Sequence, residues 1–166
     1  MENRQFNRHA NRASQNASRR GQRLRLSAGV VLAALCGHAS ACFDEAAAHY
    51  GVNARLLYAI AKTESGLNPK AINRANRNGT YDIGLMQINS RWLPMLRKHG
   101  IDEAQLYDAC TSIQVGAWIL ADNMKRLGTT WEAVGAYNAR DAALRVKYAW
   151  KVYRNLPQDR IADADD

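Results

Sequence analysis

The chain has 166 residues, a net charge of +8 and a sequence pI near 9.7, which suits one compact domain with extensions. The charge is uneven. Residues 1–41 hold seven Arg against one acidic residue, net +6, whereas residues 42–166 hold 16 Lys/Arg against 14 Asp/Glu, net +2. A nucleic-acid partner inferred from the total charge gains no support, because the basic excess lies outside the segment that reads as a folded domain.

The first segment has the pattern of an export signal. Arg19 to Arg25 is a basic run, Leu26 to Cys36 is an uncharged, largely apolar stretch, and Ala39-Ser40-Ala41 is a small-residue cleavage pattern. As a helix the apolar stretch spans about 16 Å, too short for a bilayer core of about 30 Å. Residues 1–41 are therefore expected to be a signal peptide, and no membrane span is expected after it. Ser18-Arg19-Arg20 hints at a twin-arginine signal, but Gln22 and Arg23 occupy the positions that should be apolar. Removal of 1–41 leaves two cysteines, Cys42 and Cys110. An even count in an exported protein favours one disulfide. Lipidation of Cys42 is the competing reading, against which Ala39 stands where lipoprotein signals carry Leu.

Residues 42–156 read as one mostly helical domain. Cys42 to His49 is expected to be a short helix. Asn53 can cap a second helix to about Ser65, with Leu57, Ile60 and Ala61 in an apolar row that Glu64 completes. Gly66 and Pro69 end it. Residues 68–81, rich in Asn, Arg and Gly, form a loop, and Thr80-Tyr81-Asp82-Ile83 suggests a small hairpin. Ser90 is expected to cap a helix ending near Gly100. A long helix follows Asp108 and stops at Gly128, with Ile113, Ala117, Leu120 and Met124 as its apolar row. Thr129 with Glu132 resembles a capping box for a helix over 130–139, and a last helix covers about 141–156. Residues 157–166, with Asp159, Asp163, Asp165 and Asp166, are expected to be a disordered acidic tail.

Elimination narrows the chemistry. After residue 41 there are two His, 49 and 99, neither in a metal-ligand motif, and three Ser, 65, 90 and 112, without a nucleophile elbow. No phosphate-binding glycine loop is present, so no metal or cofactor is expected and carboxylate chemistry remains. Glu64 sits on the apolar row of its helix and in the last turn, where desolvation and the helix dipole both disfavour its charge. Both effects raise its pKa, as a general acid requires. On pattern alone a boundary glutamate reaching solvent is the competing reading. Asp82 can flank a glycosidic bond as a second carboxylate. A turn aspartate bonded to its own backbone is the alternative there.

Three motifs in order resemble the lytic transglycosylases of the soluble-lytic-transglycosylase type, within the lysozyme-like superfamily. Glu64-Ser65-Gly66-Leu67-Asn68-Pro69 resembles the catalytic E-S-x-x-N-P motif and Gly84-Leu85-Met86-Gln87-Ile88 the G-L-M-Q motif. Ala136-Tyr137-Asn138 resembles A-Y-N, although Ala139 replaces the usual Gly. The resemblance covers about 42–156 and is nearest to the small single-domain enzymes that accompany type III secretion and conjugative (type IV) machines. It implies a mainly α, α+β lysozyme-like domain with a small β-hairpin beside the active-site cleft.

The resemblance also implies roles. Glu64 would protonate the bridging oxygen between N-acetylmuramic acid and N-acetylglucosamine, then act as base on the muramic C6 hydroxyl, closing a 1,6-anhydro ring. Tyr137 would orient Glu64, and Gln87, Met86, Asn89, Asn138 and Ser65 would serve the sugar-binding cleft. For Met86 plain core packing is the alternative, and for Tyr137 a core tyrosine with a satisfied hydroxyl. The segment from Asp82 to Trp92 also resembles the D-Y-G-x-x-Q-I-N-S-R-W segment of c-type lysozymes, which puts Asp82 on the position of their second catalytic carboxylate. The implied function is a periplasmic enzyme that opens the peptidoglycan locally for an envelope-spanning apparatus. A hydrolytic muramidase using Glu64 and Asp82, and a non-catalytic peptidoglycan-binding assembly factor, are the competing readings.

Overall fold

The computed structural model describes residues 31–158, with side chains from Ala41 onward. Among the described residues six α-helices frame a three-stranded antiparallel sheet: α1 (Val31–Tyr50), α2 (Ala54–Ser65), α3 (Leu93–Arg97), α4 (Ala109–Leu127), α5 (Trp131–Gly135) and α6 (Ala142–Arg154), with β1 (Ile72–Asn73), β2 (Asp82–Ile83) and β3 (Ile88–Asn89). Short 3₁₀ turns lie at Ser90–Trp92 and Ala104–Tyr107. This is the mainly α, lysozyme-like class expected, with the hairpin enlarged to three strands by β1.

Several helix boundaries follow from local chemistry. Asn53 Oδ1 accepts from Leu56 N, and Gly66, at φ 63°, lets its own N–H return to the α2 carbonyls of Ala61 and Lys62. Asp108 caps α4 through Thr111 N, and Asp141 caps α6 through Leu144 N. Three expectations are corrected. Asn89, not Ser90, caps the 3₁₀ turn by accepting from Arg91 N, while Ser90 Oγ accepts from Tyr81 N and ties the turn to β2. Thr130, not Thr129, caps α5 through Ala133 N, and α5 ends at Gly135 rather than at 139. No proline interrupts residues 31–50, so α1 begins well before Cys42.

Because α1 is continuous across residue 41, the expected cleavage pattern Ala39-Ser40-Ala41 lies within a helix, while residues 1–30 of the expected signal lie outside the described residues. So do residues 159–166 of the expected acidic tail. Among the described residues no helix is long and apolar enough to cross a membrane.

The core lies between α1, α2 and α4. Leu57, Ile60 and Ala61 of α2 and Ile113, Ala117 and Leu120 of α4 are fully buried in it. A disulfide between Cys42 and Cys110, with Cα atoms 5.3 Å apart, joins α1 to the start of α4, and that bond occupies the thiol that lipidation of Cys42 would require. The sheet packs its Ile83 and Ile88 side chains inward. Its register aligns Ile72, Ile83 and Ile88 in one row and Asn73, Asp82 and Asn89 in the next. Successive strand residues face opposite ways, so this register turns Ile83 and Ile88 into the core and brings Asp82 and Asn89 to the cleft, while Ile72 on the edge strand stays exposed.

Candidate active site

Glu64 closes the apolar row of α2 and stands half-buried in the wall of a cleft of about 490 Å³. Asp82, Gln87, Asn89, Arg91, Trp92, Tyr137 and Asn138 also line this cleft. Burial pushes the Glu64 carboxyl up from its ordinary 4.5 to about 7. A hydrogen bond from Tyr148 Oη to Glu64 Oε1, 2.5 Å, works against that rise; the Asp82 charge adds to it and Lys151 opposes it. The result is a carboxyl that exchanges its proton near neutrality, as one group serving first as acid and then as base must do.

Tyr148 was missed by sequence reasoning. It is buried on the inner face of α6 with Ala149 and Val152. Glu64 and Tyr148 are 84 residues apart, so only the packing of α6 on α2 brings them together. The available signal was an aromatic hydroxyl on an otherwise apolar helix stripe, which has to find a polar partner when buried. The expected Tyr137–Glu64 hydrogen bond is corrected accordingly: Tyr137 Oη donates to the Met86 carbonyl at 3.0 Å. Tyr137 still lines the cleft, where burial and the nearby Glu64 and Asp82 charges raise its pKa well above 10.

Asp82 is not a turn aspartate bonded to its own backbone. Its Oδ2 accepts from Asn73 Nδ2 at 3.2 Å and from Asn76 Nδ2 at 3.0 Å, and its Oδ1 accepts from Asn89 Nδ2 at 2.7 Å. Asn73 and Asn89 reach it because both are its direct cross-strand neighbours. Three amides leave the carboxylate fixed in orientation and solvated by protein dipoles.

The Gly-Leu-Met-Gln segment is a tight turn below the cleft. Gly84 has φ 74°, and a Cβ there would fall 2.0 Å from the Leu106 carbonyl oxygen, so no side chain fits. Gln87, also at positive φ (48°), turns its amide back to donate to the carbonyls of Gly84 (2.9 Å) and Ala71 (3.3 Å) while remaining on the cleft wall. Met86 is fully buried, as the core-packing alternative has it: its side chain packs where Gly116 of α4 leaves room. Ser65 is likewise absent from the cleft lining. Its Oγ donates to the Leu85 carbonyl at 2.7 Å and accepts from Asn68 N, bracing the end of α2 against this turn. Asn89 and Asn138 lie on the cleft, but the Asn89 side chain is occupied by Asp82, Thr80 and Arg91 N. Trp92 was not singled out from the sequence; it lines the cleft with its ring against Trp118 and under the Arg91 guanidinium.

Comparisons with known proteins give the family. Residues 41–153 match the family described as Transglycosylase SLT domain. The chain is 48% identical to "Invasion protein IagB" of Salmonella typhi over 130 residues, covering 75% of this chain and 81% of that protein. It is 42% identical over 125 residues to the "Peptidoglycan-binding-like protein" of Escherichia coli O157:H7, covering 69% and 75%. It is also 42% identical over 118 residues to "Protein IpgF" of Shigella flexneri, covering 68% and 77%. The chain thus belongs to the SLT transglycosylase family and is one of its small, specialised lytic transglycosylases.

Proposed function

We propose that this enzyme cleaves the β-1,4 bond between N-acetylmuramic acid and N-acetylglucosamine in peptidoglycan and releases 1,6-anhydro-muramyl ends. Protonated Glu64 gives its proton to the bridging oxygen, and the bond from that oxygen to the muramic C1 breaks. The muramic C6 hydroxyl then attacks C1 and yields its proton to the Glu64 carboxylate, so Glu64 ends the cycle as it began and no water is consumed. The observation that carries this reading is the Glu64 carboxyl, raised to about 7 and bonded by Tyr148 on the cleft wall. Gln87 and Asn138 contribute polar groups to the sugar path. Asp82, oriented by its three amides, faces the cationic character that develops at C1.

The same reading places the enzyme in the periplasm after export through residues 1–41, opening the wall locally for a type III or conjugative apparatus. The names of its relatives support this, one being called an invasion protein and another peptidoglycan-binding-like. A second reading, hydrolysis with Asp82 as nucleophile or electrostatic stabiliser, is favoured by one observation: Asp82 shares the cleft with Glu64 and raises its pKa. Mass spectrometry of muropeptides released from purified sacculi separates the two. Products one water lighter than reducing ends, lost with Glu64→Gln, are expected. Reducing ends that vanish with Asp82→Asn would establish hydrolysis instead.

A further inference from the structure

Away from the catalytic cleft, a second cavity of about 600 Å³ runs between α5 and α6. Of the six large hydrophobic side chains exposed among the described residues, five lie on these two helices: Trp131, Leu144, Val146, Trp150 and Tyr153. Trp131, Val146, Trp150 and Tyr153 line the groove, with Ala149 at its base. The Tyr153 ring stands edge-on to both indoles, at 5.6 Å and 5.5 Å between centroids. Scattered exposed hydrophobics are ordinary; their concentration along one groove marks an interaction surface.

Charge identifies the occupant. Helix α6 carries Arg145, Lys147, Lys151 and Arg154 and no acidic residue. Arg145 is paired with Glu132 at 2.9 Å, but Lys147, Lys151 and Arg154 form no salt bridge among the described residues. A second copy of this chain would set like charges against each other across an isologous contact, and so is disfavoured. The aliphatic walls at Ala142, Val146 and Ala149 offer few hydrogen-bonding groups to a sugar. A helix with an apolar face and acidic flanks satisfies both features, in the helix-in-groove mode. The 13 residues of α6 give a platform about 20 Å long, enough for about four turns of a partner helix.

We propose that the α5–α6 groove is the docking site for an acidic, amphipathic helical segment of a partner protein, with Trp150 and Tyr153 as anchors and Lys147 and Arg154 as charged flanks. The partner is independent of the chemistry at Glu64, so its test does not depend on the products released. The probe is a synthetic helical peptide of about 14 residues, with Leu at i, i+3, i+4 and i+7 and Glu on its flanks. Its counterpart has every Glu replaced by Lys. Binding to the full chain is read from tryptophan fluorescence and calorimetry.

The acidic peptide is expected to bind at least about tenfold more tightly than the basic one. Trp150→Ala should weaken it by about tenfold or more, and so, separately, should the Lys147→Glu, Arg154→Glu pair. Unchanged circular dichroism and unchanged muropeptide release check that the variants are folded. Equal binding of the two peptides, no saturation by the acidic peptide up to about 1 mM, or binding indifferent to both sets of substitutions would overturn the proposal. So would displacement of the acidic peptide by purified N-acetylglucosamine oligomers, which would make the groove a glycan site.

Discussion

Replacing Glu64 by Gln removes a titratable group from an environment that holds it in the neutral form, and the consequence for stability has a definite sign. Burial raises the folded-state pKa of Glu64 from 4.5 to about 7. The folded chain therefore binds this proton more tightly than the unfolded chain does. The stability that protonation contributes is complete below about pH 4.5 and is lost as pH rises through about 7. At about 1.4 kcal/mol for each pKa unit, the loss amounts to about 3 kcal/mol. Glutamine keeps the shape, remains neutral and can still accept from Tyr148. Denaturant titrations of wild type and Glu64→Gln at about pH 4.5 and about pH 8 measure the difference at each end. The variant should gain about 3 kcal/mol on wild type between the two conditions and be the more stable protein at pH 8. A stability difference that stays constant with pH would refute the claim that Glu64 is held neutral by its surroundings.

Tyr148→Phe removes the hydroxyl that stabilises the Glu64 carboxylate, so the alkaline limb of the pH–rate profile should move up by about one unit, the worth of a hydrogen bond to a charged group; a limb that stays or moves down would show that Tyr148 acts otherwise. Gly84→Ala combines positive φ with a clash at the Leu106 carbonyl and should cost at least about 3 kcal/mol by thermal or denaturant unfolding. Reduction of Cys42–Cys110, 68 residues apart, should lower stability by about 4 kcal/mol on the chain-entropy account, and a melting temperature unchanged by reductant would contradict it.

The helical frame was legible where local chemistry decides it. Asn53, Asp108 and Gly128 mark their helix ends because capping depends on residues a turn apart. The apolar rows of α2 and α4 are buried because a 3.6-residue period is visible in the letters. Glu64 stood out as a charge on such a row. Errors arose where two adjacent residues could serve the same end, as Thr129 and Thr130 or Asn89 and Ser90 could, and tertiary contacts chose between them. Strand β1 was invisible: two residues, Ile72 and Asn73, are too few to show alternation. The Tyr148–Glu64 contact and the three amides on Asp82 depend on chain segments meeting in space, which periodicity does not encode. For Met86 the sequence left cleft and core open, and the packing chose the core beneath the turn.

The most direct test of the central claim is digestion of purified sacculi in H₂¹⁸O, followed by mass spectrometry of the released muropeptides. Intramolecular attack by the C6 hydroxyl takes no oxygen from the solvent, so the products should carry no ¹⁸O, should be one water lighter than reducing ends, and should disappear with Glu64→Gln. Products bearing one ¹⁸O at the muramic C1 would contradict the account and make the enzyme a hydrolase.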